Sequence, residues 1–174
     1  MRQLLKMSKQ NKKLNKTLIF DLPSGKTCPM ASECHSYAVM NNNGRLTVKD
    51  GDKNKFRCFA ASQEAQYPNV YKARKYNHDL ILKSLMNDNG IKSNTIDLVN
   101  KSIEKHINKN INKVRIHSSG DFFNGEYLRV WLAVARLNKH LKFYCYSKSL
   151  HLFGTNVSIP DNFFFNCFTI WQNG

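Results

Sequence analysis

Apolar and polar positions alternate along the chain in a way that marks out strands and helices in turn. Thr17-Leu18-Ile19-Phe20-Asp21-Leu22 is an apolar run that Pro23-Ser24-Gly25-Lys26 stops as a turn, and it predicts a first strand. Small residues and two cysteines between Thr27 and Val39 predict loop or a short helix. Turn signals at Asn41-Asn42-Asn43-Gly44 and Asp50-Gly51 bracket Arg45 to Val48 as a short hairpin arm. Pro68 and Asn69 start a helical pattern that runs to Asn87. In it Val70, Ala73, Asn77, Leu80 and Ile81 share one side, with Lys72, Arg74 and Lys75 off it. Ile96, Val99, Ile103 and Ile107 are spaced for one face of a second helix.

The clearest pattern follows. Val114-Arg115-Ile116-His117-Ser118 predicts a strand and Ser119-Gly120-Asp121 a turn. Asn124 to Leu137 predicts an amphipathic helix with Tyr127, Leu128, Trp131, Val134 and Ala135 inward. Lys142 to Tyr146 and Phe163 to Phe168 predict two more strands. Strand, helix and strand in so short a span make a βαβ unit, so the fold class is α/β. The expected architecture is an open, partial parallel β/α barrel or sheet with crossover helices, behind a cysteine-rich N-terminal segment. Residues 1–16 carry basic and no acidic side chains and read as a solvated basic arm, with one domain over residues 17–174. The last residues, Trp171-Gln172-Asn173-Gly174, follow a strand where a covering helix normally comes. A C-terminally truncated chain, or a sheet completed by a partner, is therefore expected.

Charge narrows the partners. Lys and Arg number 27 against 12 Asp and Glu, a formal net charge of +15, which favours a polyanion such as nucleic acid. Abundant Lys, Asn and Ile also fit an AT-rich genome, but that bias alone would supply more Glu. No apolar run reaches the roughly 18 residues of a membrane span, and no basic amphipathic helix with a broad apolar face fits a membrane surface. The five cysteines are an odd number with no secretory leader, which argues against a disulfide framework and for a reducing cytoplasm.

Cys28, Cys34 and Cys58 form the constellation that carries chemistry. Three thiolates suffice for a four-iron cluster with one open iron, or for zinc with an open fourth position that nearby His35 would close. The bland alternative is three unrelated buried thiols. Cys145, within a strand, and Cys167, near a strand end, read as core thiols. In parallel α/β folds ligands sit beyond the carboxyl ends of the strands. Two polar clusters fall there: His117, Ser118, Ser119, Gly120 and Asp121, and then Tyr146, Ser147, Lys148 and Ser149. Asp121 and Lys148 are the catalytic candidates, with Asp121 otherwise a loop or helix-start acceptor and Lys148 otherwise solvated. His117, Ser118, Ser119, Gly120 and Ser147 are candidates for binding substrate or cofactor. Gln172, Asn173 and Gly174 make a third strand-end cluster whose role is unreadable. Arg57, Lys72, Arg74 and Lys75, interleaved with Tyr67, Tyr71 and Tyr76, suit nucleic-acid binding or else a solvated helix face.

Several segments together resemble the phage and mobile-element family named gene product 88. They are Cys28-Pro29 with Cys34, Arg57-Cys58-Phe59-Ala60-Ala61-Ser62, Pro68-Asn69-Val70, Ala73 with Asn77, Arg115 to Phe123, and Tyr144-Cys145-Tyr146-Ser147-Lys148. The order of strand, SGDFF, helix, strand and Ser-Lys is also similar to phage proteins that look like radical-SAM enzymes. That similarity implies an iron–sulfur cluster on Cys28, Cys34 and Cys58, with the SGD loop and Ser147-Lys148 facing SAM or substrate. The cysteine spacing departs from the compact one of standard radical-SAM enzymes. A weaker similarity is to barrel transglycosylases that exchange guanine for deazaguanine, where Asp121 would be a catalytic carboxylate and the cysteines a structural zinc site. The leading expectation is a metal- or iron–sulfur-dependent, radical-SAM-like protein that modifies nucleic acid. The alternatives are a non-enzymatic nucleic-acid-binding module with structural zinc, and the base-exchange enzyme.

Overall fold

A computed structural model of the chain describes residues 3–9, 14–88, 92–154 and 157–167. Four strands, β1 (Thr17–Phe20), β4 (Lys113–Ile116), β5 (Lys142–Ser147) and β6 (Phe163–Cys167), form one sheet in the order β1-β4-β5-β6. All three pairings are parallel. Between β1 and β4 come a two-stranded antiparallel hairpin, β2 (Tyr37–Met40) with β3 (Leu46–Lys49), and three helices. These are α1 (Phe59–Gln66), α2 (Pro68–Met86) and α3 (Ser93–His106). The β4–β5 crossover is α4 (Gly125–Leu137), and a 3-10 turn at Leu150–Phe153 lies between β5 and β6. The fold is mixed α/β with a four-stranded parallel sheet, and the described strands close no barrel.

The core lies on one face of the sheet. Leu18, Phe20, Val114, Ile116, Phe143, Cys145 and Phe163 pack there against Ile81 and Leu85 of α2, Val99 and Ile103 of α3, and the apolar side of α4. Helix α4 starts where its sequence says it should. Asn124 accepts a hydrogen bond from the Tyr127 amide at 2.8 Å, a cap worth about 1 kcal/mol. Beyond it Tyr127 and Trp131 are wholly buried, each contributing about 2–3 kcal/mol of burial. Because side chains alternate along a strand, the other face of the sheet presents Lys113 and Arg115 of β4, Lys142, Tyr144 and Tyr146 of β5, and Phe164 of β6. All of these are half-buried or exposed.

Residues 3–9, expected as part of a solvated arm, are packed on the domain. Leu5 is 1 % exposed, its amide donates to Ser102 Oγ, the Lys6 amide donates to Asn77, and Ser8 pairs with Ile19 across the edge of β1. One buried leucine in a basic stretch leaves too little periodicity to be read. Arg74 also moves from its expected place: it points into the protein, 5 % exposed, rather than away from it. The short α1 and β2 do not stand out as separate elements in the sequence pattern. The cluster Gln172, Asn173 and Gly174 and the side chain of Cys167 lie outside the described residues.

Candidate functional site

The carboxyl ends of β1, β4 and β5 carry a continuous polar rim. Asp21, which follows β1, accepts from the Ser118 and Ser119 amides at 2.7 and 3.1 Å and from Ser118 Oγ. The Arg74 guanidinium reaches the same carboxylate at 3.3 Å and Glu64 at 3.0 Å. Glu64, 1 % exposed, also accepts from the Ser24 amide, from Ser24 Oγ and from Ser119 Oγ. This network locks the turn after β1, the turn after β4 and helices α1 and α2 together. A cleft of about 540 Å³ opens beside it, lined by Asp21, Gln63, Arg74, Asn77 and Ser118 among others.

Gly120 makes the next joint. Its φ of +83° is open to glycine, and a Cβ there would stand 2.7 Å from Leu22 Cβ and 2.8 Å from Thr27 Oγ1. The close approach brings the Asp121 amide to the Thr27 carbonyl, tying the cysteine loop to the end of β4. The Asp121 carboxylate is 4 % exposed and fully engaged. It accepts from Ser147 Oγ and the Phe122 amide at 2.7 Å, from the Lys148 amide at 2.9 Å and from Ser149 Oγ at 3.4 Å. Asp121 therefore acts here as a post that holds the β4 and β5 ends together. No lone pair is offered to a substrate.

Around that post stand the sulfurs. Cys28, Cys34 and Cys58 are free and half-buried. Burial pushes the Cys28 thiol up to about 12, and the charges of Asp121, Cys58 and Cys34 push the same way against a hydrogen bond from Thr27. The three cysteines thus share one electrostatic neighbourhood. Lys148 Nζ donates to Cys34 Sγ at 3.1 Å, so the strand-end lysine and the cysteine loop meet. Ser36 holds the other two segments in register: its hydroxyl accepts from the Cys58 amide at 3.1 Å and donates to Asp50 at 2.8 Å. Asp50 in turn pairs with Arg57 at 2.6 Å, and the hydrogen bonds from Arg57 and Ser36 hold its carboxyl below the usual carboxylate range. Among the described residues no group of three or more His, Cys, Asp or Glu side chains is arranged to hold a metal ion. His35 adjoins Gly51, whose Cβ would lie 3.1 Å from His35 Cβ.

The other candidates fall elsewhere. His117 is 3 % exposed, packed on Phe20, Phe122 and Tyr127, with its Nε2 sharing a 2.9 Å hydrogen bond with the Tyr127 hydroxyl. Burial lowers its pKa to about 3, so it is a neutral core histidine at physiological pH. Ser118 and Ser119 serve Asp21 and Glu64, and Ser147 serves Asp121. Of the expected basic patch, Arg57 is exposed and paired with Asp50, Lys75 with Asp79, and Arg74 is buried between two carboxylates. Sequence reasoning missed Asp21, Glu64, Ser36 and Thr27. Asp21 had a signal, since it stands at the carboxyl end of a strand legible in the sequence.

The family model for gene product 88 matches residues 2–168, and the chain belongs to that family. No curated protein and no solved structure matches the chain.

Proposed function

For this member of the gene product 88 family, we propose that the rim at the strand ends is a thiolate site for a soft metal centre, used in chemistry on a polyanionic substrate. The observation that supports the reading is the meeting of two segments at the ends of the parallel strands: the β1–β2 connection with Cys28 and Cys34, where Lys148 donates to Cys34, and the start of α1 with Cys58, whose amide donates to Ser36. Burial and the charges around it raise the Cys28 thiol, and a bound cation would relieve that cost. The donor set suits a soft ion by its chemistry: three sulfurs and one open position fit zinc or one corner of an iron–sulfur cluster. The side chains have to turn inward to close on an ion.

The version we favour is the iron–sulfur one, of the radical-SAM-like kind, seated at the carboxyl ends of the four-stranded parallel sheet. When bound, the cluster would supply an open iron for a chelating cofactor and an electron for its reduction. The chain's own residues do the rest. Gly120 and Asp121 fix the cysteine loop against β4. Ser36 and Asp50 fix Cys58 next to Cys34. Lys148 brings a positive charge to the sulfur rim, where it can balance thiolates or meet an anionic group of substrate. The base-exchange alternative draws no support from Asp121, whose carboxylate oxygens are both engaged.

Anaerobic purification followed by iron and sulfide reconstitution tests the reading. The expected product is brown, with iron and sulfide bound and a broad thiolate-to-iron absorption. Cys28→Ser, Cys34→Ser and Cys58→Ser should each lose it, and Cys145→Ala should keep it. A folded protein that takes up neither iron nor zinc would overturn the proposal. Zinc at one per chain, with a melting temperature lowered by chelator, would move it to the structural-zinc form.

A further inference from the structure

The two faces of the sheet differ in a way the strand-end site does not use. One is covered by α2, α3 and α4. The other carries three cross-strand rows whose register is fixed by the parallel pairings. The central row runs Ile19, Arg115, Tyr144, Phe164 across all four strands, and the row below it pairs Lys113 with Lys142. Tyr146 stands above, at the end nearest Lys148 and the sulfurs. Phe164 is 50 % exposed and Tyr146 37 % exposed. The Arg115 guanidinium lies 5.6 Å from the centre of the Tyr146 ring, and its Nε, sheltered from water, has no hydrogen-bond partner. Among the described strand residues on this face none is acidic. A cavity of about 500 Å³ lies over its lower half, between Leu14 and Asn15 on one side and Lys113, Lys142, Tyr144 and Phe164 on the other.

We propose that this face binds single-stranded nucleic acid. Rings presented on a sheet surface are a platform on which unstacked bases lie, and the cations beside them track phosphates. A duplex keeps its bases stacked on each other and has no use for such rings. A second copy of the chain is disfavoured by charge, since the face would meet its own Lys113, Lys142 and Arg115. The inference rests on the polyanion half of the proposed function and not on the thiolate half. It adds a direction: a strand laid along β5 toward Tyr146 reaches the rim where Lys148 meets Cys34.

The test uses the full chain, metal-free, with a fluorescein-labelled oligothymidylate, an oligouridylate and a duplex of equal length, read by anisotropy at physiological salt. Single strands should bind more tightly than duplex. Tyr144→Leu and Phe164→Leu keep apolar bulk but remove the ring, and each should weaken binding by roughly 5- to 100-fold. Lys113→Glu and Lys142→Glu should weaken it and lower the salt slope by about 0.7 for each phosphate left unneutralised. Lys101→Glu, on the helix layer, changes net charge equally and should matter little. An equal loss from Lys101→Glu, an unchanged affinity in both ring variants, or a preference for duplex would overturn the proposal. So would a dimer that the ring variants turn into monomers, because the face would then belong to a second copy. Because the binding is measured on metal-free protein, its failure is distinguishable from failure of the metal reading, which is judged by iron, sulfide or zinc uptake alone.

Discussion

The two halves of the strand-end rim are built on opposite terms. On the β1 side, Asp21, Glu64, Arg74, Ser24, Ser118 and Ser119 are packed and cross-bonded, and among these described side chains the one orphan is Arg74 Nε. On the β5 side three sulfurs stand half-buried, with Thr27 at 4.0 Å from one and Lys148 at 3.1 Å from another. A buried carboxylate with four donors cannot change partners without a large penalty, whereas a half-buried thiol can turn at little cost. The carboxylate half therefore holds the frame, and the sulfur half is free to meet a ligand. Burial and satisfaction, and not residue type, separate the structural polar groups from the adaptable ones.

The sharpest break of that contrast comes at Glu64. Glu64→Ala leaves Arg74 buried with a single carboxylate and strips Ser24 and Ser119 of their acceptor. Loss of one partner in such a network costs about 3–5 kcal/mol. A fall of that size in the unfolding free energy read from urea denaturation is expected, while Cys58→Ser lowers it by less than about 1 kcal/mol. Equal effects at the two sites would erase the distinction between frame and sulfur rim.

His117 sharpens it through pH. Its folded pKa lies near 3, below the ordinary 6.5, because burial penalises the imidazolium. The unfolded chain thus binds the proton first as pH falls. Stability is full above pH 6.5 and declines from there toward pH 3, by a loss of order 2–4 kcal/mol. His117→Asn tolerates the positive φ of 66° and removes the titration, so its stability curve should run flatter over that range. A wild-type curve already flat between pH 6.5 and 4 would mean that the histidine is hydrated.

Cys28 titrates in the opposite direction. Its folded pKa is raised from 9.0 to about 12, so the folded state keeps a proton that the unfolded state gives up. The associated stability is present below pH 9 and is lost as pH rises toward 12, at about 1.4 kcal/mol per pH unit. Alkylation followed by mass spectrometry should find Cys28 slow to react at pH 8, since the thiolate is the nucleophile. Labelling of Cys28 as fast as a free thiol would place its sulfur in water and undo the shared neighbourhood of the three cysteines.

Local rules reached the frame better than they reached the site. The cap at Asn124, the inward stripe of α4 and the strand pair around it follow from period and capping alone, so those elements were legible. Helix α1 was not, because Phe59 to Gln66 has a weak apolar period and is placed by Glu64, a carboxylate that contacts residues forty and fifty-five positions away. Arg74 was misplaced for the same reason: a cation on a helix reads as solvent-facing until its two carboxylates are known. Candidate residues at strand ends follow from the strand pattern, but local sequence could not tell which would be saturated. Asp121 and Lys148 are adjacent at the rim and have opposite roles, and the difference lies in Ser147, Ser149 and Cys34, which only the tertiary fold assembles.

The smallest expected effect is on stability at Lys148, and it bears most directly on the sulfur half. Its ammonium touches Cys34 and lies 5.8 Å from the Phe56 ring centre, and the side chain is only half-buried. Lys148→Met keeps the stem and the backbone amide that Asp121 needs, so the unfolding free energy should change by less than about 1 kcal/mol. The charge it removes, however, competes with any cation for the same thiol. Cadmium titration, followed by thiolate-to-metal absorption, should then show binding several-fold tighter than in the wild type. Cooperative unfolding of Lys148→Met at room temperature would instead assign Lys148 to the frame, and the two halves of the rim would no longer differ in kind.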